Sequence, residues 1–96
     1  MVVSIVVPVH NDQKFTKQCV DSIRRTAKSD EYELIIIDNG SDQTTKDFLS
    51  TLGATVIVNE KNEGFAKAVN KGIRQSVGSH VFLLNNDTIL FPGWLP

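Results

Sequence analysis

Cysteine is almost missing from this chain. Cys19 stands alone, so neither an internal disulfide nor a cysteine-built metal site can form within one copy. A long hydrophobic run is missing as well. The longest apolar stretch, Val2 to Val9, falls far short of the roughly 20 residues that span a bilayer, and it lacks the basic start of a signal peptide. A cytoplasmic location is therefore the expectation, with membrane association left to whatever a longer protein adds. Nor is there a dominant charge: ten basic and eleven acidic residues leave a net charge of -1. Arg24, Arg25 and Lys28 form a local cationic cluster, which on a helix reads as a solvated face rather than a nucleic-acid footprint. No nucleic-acid partner is expected.

The familiar phosphate-binding signatures are also absent. No G-x-x-x-x-G-K-[ST] and no G-x-G-x-x-G follows the first apolar run, which argues against a P-loop NTPase and a dinucleotide Rossmann domain. The glycine-rich loop of sugar nucleotidyltransferases is missing from the same place. His10 has no evident Ser or Cys partner, so it is not read as the base of a nucleophilic triad.

What is present is ordinary in amount and specific in arrangement. A hydrophobic fraction of 41% and a charged fraction of 22% over 96 residues describe one small globular unit or a piece of a larger one. Four apolar runs, Val2–Val9, Leu34–Ile37, Ala54–Val58 and Val81–Leu84, read as strands buried on both faces. Between them the period changes to that of helices. Phe15, Cys19, Val20, Ile23 and Ala27 mark the first, with Asn11 or Asp12 as cap. Phe48, Leu49 and Leu52 mark the second, with Ser41 or Asp42 as cap. Phe65, Val69, Ile73 and Val77 step by four through the third. Cys19, four residues from Phe15 and Ile23, reads as core.

The order β-α-β-α-β-α-β predicts a parallel sheet with helices on both faces. Right-handed crossovers favour strand order 3-2-1-4, an α/β, Rossmann-like half-domain with a topological switch between strands one and four. Residues 88–96 carry Ile89, Leu90, Phe91, Trp94 and Leu95 with no complete element to bury them. The expectation is a truncated domain with a free edge on strand four, open to self-association, and with Trp94 and Leu95 poorly buried.

Polar chemistry collects just after each strand: His10-Asn11, Asp38 to Asp42, Asn59 to Gly64, and Asn85-Asn86-Asp87. Turn-forming and capping explain much of the Asp38 loop. A carboxylate at that edge can equally accept bonds from a base or ribose. Asp87 follows two asparagines, more polar capacity than one turn needs, and a hard dication takes one or two protein carboxylates beside phosphate oxygens. Gly64 permits close approach to a helix N-terminus that favours an anion, and Lys67 lies one turn further on.

Four segments together resemble the family 2 glycosyltransferases of the GT-A fold: Ser4-Ile5-Val6-Val7-Pro8-Val9-His10-Asn11, Ile35-Ile36-Ile37-Asp38-Asn39-Gly40-Ser41-Asp42, Asn62-x-Gly64-x-x-x-Ala68-x-Asn70-x-Gly72, and Leu83-Leu84-Asn85-Asn86-Asp87-Thr88. They cover nearly the whole chain in the family's order. The resemblance implies that residues 1–96 are the nucleotide-sugar-binding N-terminal part of such a domain, without the acceptor-binding half. It implies that Pro8, His10, Asn11 and Asp38 hold the nucleoside, with Asp38 on the base and Gly40 and Ser41 shaping that pocket. Asn62, Gly64 and Lys67 would border the nucleotide and Asn86 the ribose.

Asp87 falls at the last position of the family's D-x-D-like motif, as ligand of a Mg²⁺ or Mn²⁺ ion on the diphosphate. The preceding asparagines resemble a rhamnosyltransferase-like branch. The implied reaction is inverting transfer of a sugar from a UDP- or dTDP-sugar to an acceptor glycan or lipid-linked saccharide. Its catalytic base belongs to the second half of the domain, so no residue here is assigned that role and the fragment alone is expected to bind without transferring. A non-catalytic nucleotide-binding or assembly module, and a purely structural α/β domain, are the alternatives.

Overall fold

The computed structural model describes residues 3–95; the expected start of the first strand at Val2, and Pro96, lie outside the described residues. Seven elements follow one another: β1 (Val3–Val9), α1 (Gln13–Thr26), β2 (Tyr32–Asn39), α2 (Gln43–Ser50), β3 (Thr55–Asn59), α3 (Phe65–Gln75) and β4 (His80–Leu83). The strands form one parallel sheet in the order β3-β2-β1-β4.

Chain direction across the sheet explains which helix lies where. From β1 to β3 the chain moves one way, and right-handed crossovers put α1 and α2 on the same face. Val3, Ile5, Val7, Val9, Leu34 and Ile36 pack there against Cys19, Val20, Ile23 and Leu49. The crossover from β3 back to β4 reverses direction, so α3 lies on the other face, where Val6, Ile35 and Ile37 meet Ala68. Gly72 makes that contact close: a Cβ at this position would collide with the Val6 side chain. Ser4 and Glu33 tie the α3–β4 connection to the sheet, since Glu33 accepts from Ser4 Oγ and from the Val77 amide, and Ser4 Oγ accepts from Gly78.

Several expectations are corrected. Only the central strands β1 and β2 are buried on both faces; β3 and β4 are edges, and Val58 and Leu83 stand about half exposed. α3 stops at Gln75, leaving Val77 outside it, and its Phe65 and Ile73 face outward. Phe15 is likewise 48% exposed and contributes little to the core beside Cys19. Arg24 is not merely solvated, because its guanidinium donates to the Leu52 carbonyl.

The last residues are better housed than expected. Trp94 is half-buried, meets Phe82 edge to face at 5.4 Å and donates from Nε1 to Thr26 Oγ1 at 2.6 Å. Leu90 and Leu95 join it against the α1 face, while Ile89 and Phe91 stay exposed.

Candidate functional site

The carboxyl ends of all four strands open on one side of the sheet. Between the loops after β1 and β4, where the chain reverses direction, lies a cleft of about 420 Å³. Pro8, Val9 and His10 line it from β1, Asn39 from β2, Asn62, Gly64 and Phe65 from the β3–α3 loop, and Asn85, Asn86 and Asp87 from beyond β4. Ligands of open parallel sheets bind at such a crevice.

The β1–α1 loop turns on Asn11 and Asp12, both in the left-handed region with φ of 58° and 59°. Asparagine and aspartate are the non-glycine residues that best tolerate it. Asp12 occupies the N-cap position of α1 without a side-chain cap bond. Asn11 is held instead by the next loop: its amide donates to Ser41 Oγ at 2.8 Å, and its Oδ1 accepts from the Asp42 amide at 2.9 Å. Asp42 caps α2 by accepting from Thr45, and that bond holds its carboxyl below the usual range.

Asp38 lies beneath this loop rather than on the cleft wall. Its side chain is almost fully buried; Oδ1 accepts from the Ser41 amide at 3.0 Å and Oδ2 from Lys46 Nζ at 2.8 Å. Burial pushes its carboxyl up, but the hydrogen bonds from Lys46 and Ser41 outweigh that and leave it lowered. Asn11, Gly40 and Ser41 share this second row with Asp38. Gly40, at φ 75°, passes so close to the backbone of Lys61 and Asn62 that no Cβ fits.

Asn39 joins the two rows. Its side-chain Oδ1 accepts from Asn59 Nδ2 and from the Glu63 amide, and its Nδ2 donates to Asn62 Oδ1 and to the Gly64 carbonyl. Its own carbonyl accepts from His10 Nδ1 at 2.9 Å. A carbonyl can only accept, so Nδ1 carries the proton of this bond and Nε2 is left for the cleft. Lys71 closes the far side by bonding Asn59 and pairing with Glu63 at 3.1 Å. The loop ends at Gly64, the N-cap of α3, which has φ 89°, no side-chain cap and open space before it. The first amides of α3 thus remain available to an anion. Lys67 is exposed and does not line the cleft.

Asp87 is the one carboxylate among the cleft-lining residues. Among the described residues no group of three or more His, Cys, Asp or Glu side chains is placed to hold a metal. One carboxylate with neighbouring amide oxygens of Asn85 and Asn86 nevertheless suits a hard dication whose other ligands are phosphate oxygens and water. Cys19, just beneath, is no candidate ligand: burial, and then the Asp87 charge, push its thiol up to about 11.

The model of the family described as Glycosyl transferase family 2 matches residues 4–96. The chain belongs to that family. Among curated relatives, glycosyltransferase AglE of Haloferax volcanii is 27% identical over 97% of this chain and 33% of its own length. A PGL/p-HBAD biosynthesis glycosyltransferase of Mycobacterium bovis is 31% identical over 92% of this chain and 36% of its own. The chain therefore spans about a third of the length of these relatives. Its fold matches that of a Pyrobaculum calidifontis mannosyltransferase solved with GDP-Man and Mn²⁺, at TM-score 0.83 and 21% identity, over 91% of this chain and 28% of the other. It also matches S. aureus TarS solved with UDP-GlcNAc, at TM-score 0.77 and 27% identity, over 91% and 27%.

Of the residues singled out from sequence, the fold brings Pro8, His10, Asn62, Gly64, Asn86 and Asp87 onto one cleft, with Asn11, Asp38, Gly40 and Ser41 behind it. Sequence reasoning gave no site role to Asn39, Asn59 or Phe65. Asn39 stood only within the polar cluster after the second strand, and Phe65 read as a core position.

Proposed function

We propose that this chain is the donor-binding part of a metal-assisted, inverting glycosyltransferase, with the nucleoside diphosphate of a sugar donor lying across the cleft from His10 to Asp87. The observation that carries this reading is the convergence of Asp87, the uncapped start of α3 and the His10 loop on one crevice at the topological switch. Each suits one part of such a ligand. His10 Nε2 and the loop braced by Asp38 suit a base, Asn86 suits ribose hydroxyls, and the α3 amides suit phosphate. Asp87, with amide oxygens of Asn85 and Asn86, would hold Mg²⁺ or Mn²⁺. The bound ion would offset charge on the departing diphosphate.

In the full-length protein an acceptor hydroxyl would attack the anomeric carbon as the bond to the diphosphate breaks, and a carboxylate outside these residues would take the proton. The acceptor, a glycan or lipid-linked saccharide, would be held by that other part. The Asn-Asn-Asp sequence is what supports a rhamnosyltransferase-like branch and a dTDP-sugar. The unpaired thiol of Cys19 is compatible with the proposed cytoplasmic location.

The test is to titrate UDP, dTDP and GDP separately while following backbone amide shifts of the 96-residue chain. Shifts concentrated at residues 8–11, 38–42 and 85–87 are expected. No shift at millimolar nucleotide contradicts donor binding, and binding with no transfer by the full-length protein favours a non-catalytic nucleotide-binding module.

A further inference from the structure

Four short polar side chains run along one side of α1: Thr16, Cys19, Ser22 and Thr26. Thr16, Cys19 and Ser22 are fully buried, where a helix ordinarily places apolar residues, and serine and threonine are weaker helix formers than alanine. Each meets the segment that follows β4. Asn86 Nδ2 donates to Thr16 Oγ1 at 3.1 Å, and Cys19 Sγ approaches the Asn85 carbonyl at 3.9 Å. The Leu90 amide donates to Ser22 Oγ at 2.9 Å, and Trp94 Nε1 to Thr26 Oγ1.

The hydroxyl protons of Ser22 and Thr26 are already committed to helix carbonyls, Cys19 and Ser22 respectively, so their lone pairs are free to accept from this segment. The ladder therefore fastens residues 85–94 to the most deeply buried helix face. Its first rung acts directly on a cleft residue.

We propose that Thr16 is a positioning residue for the diphosphate end of the cleft: its buried hydroxyl fixes the Asn86 amide, so that Asn86 Oδ1 and the Asp87 carboxylate meet the ligand together. Thr16 does not line the cleft and acts through Asn86. The role rests on the donor-site reading above.

The experiment compares Thr16→Val, which keeps the shape and loses the hydroxyl, with Thr16→Ser, which restores it, and with Ser22→Ala, which breaks the rung to the Leu90 amide without touching a cleft residue. UDP affinity is measured in the presence of Mn²⁺, beside thermal stability. The expected result is about fivefold weaker binding in Thr16→Val, the equivalent of about 1 kcal/mol. Thr16→Ser should return it to within about twofold of wild type. Ser22→Ala should lower the melting temperature without weakening binding.

Equal affinity in wild type and Thr16→Val overturns the positioning role alone. So does a loss in Ser22→Ala that matches Thr16→Val at equal stability. Absence of UDP binding by the wild-type chain overturns the donor-site reading and this role with it. Should Thr16→Val unfold, the Asn86 side-chain NH₂ signals of the wild-type chain decide: slow exchange with solvent supports the bond to Thr16, and fast, averaged exchange overturns it.

Discussion

Asn39 and Asn62 meet side chain to side chain at 2.9 Å, one at the end of β2 and the other in the β3–α3 loop. That bond is one of four made by the Asn39 amide, which also engages Asn59, Glu63 and Gly64. A single side chain thereby fixes the loop that forms one wall of the cleft, and its backbone carbonyl fixes the ring of His10 on another.

Replacing Asn39 with alanine leaves the largely buried Asn59 amide and the Glu63 N–H without their acceptor. Losing several bonds, some to buried groups, is expected to cost about 2–3 kcal/mol in urea unfolding. Exchange of the Glu63 amide should accelerate first, ahead of global unfolding.

Gly72 sets two effects against each other. Alanine there gains about 1 kcal/mol of helix propensity. Its Cβ would, however, run into the side chain of fully buried Val6 and crowd Ile37. Overpacking of this kind costs about 1–3 kcal/mol and should win. A lower urea midpoint for Gly72→Ala is expected, with α3 displaced from β1 and β2.

The pair of buried Asp38 and half-buried Lys46 makes part of the stability acid-labile. The carboxyl is lowered in the folded chain, whereas an unfolded aspartate titrates near about 3.9. Its contribution is thus fully present above that value and is lost as pH falls through the lower folded value. Asp38→Asn is expected to lose about 1–2 kcal/mol at pH 7, since bonds to charged groups exceed neutral ones. Unfolding curves for the two proteins should begin to converge only as pH falls below about 4.

Cys19 should resist modification. It is fully buried with its thiol pushed up to about 11, so a disulfide reagent at pH 7.5 should react only after denaturant opens the core. Prompt reaction of the folded chain would show that the α1 face is more open than described.

The legible parts of this fold are those where burial leaves a one-dimensional trace. β1 and β2 are covered on both faces, so Val3–Val9 and Leu34–Ile37 read as unbroken apolar runs, and the handedness of crossovers supplies the strand order. The α3 stripe misled because spacing reports a shared face, not whether anything covers it; Phe65 and Ile73 have the period of a core and are exposed. The Thr16–Cys19–Ser22–Thr26 ladder was invisible for the opposite reason. Cys19 read as core, but Thr16, Ser22 and Thr26 look like a water-facing side until the segment that binds them is in place, and that segment held the misjudged Trp94. At the site, the family motifs carried His10, Asn62 and Asp87 to the cleft, whereas the part Asn39 plays arises only from pairing across β2 and β3.

The central claim, that this cleft receives a nucleotide donor with a divalent ion at Asp87, is tested most directly by UDP and GDP affinity with and without Mn²⁺ in wild type and Asp87→Asn. The account predicts that Mn²⁺ tightens wild-type binding by about tenfold or more and that Asp87→Asn abolishes the gain while retaining the weak, metal-free affinity. Equal Mn²⁺ dependence in the two proteins, or no binding by either at millimolar nucleotide, would contradict it.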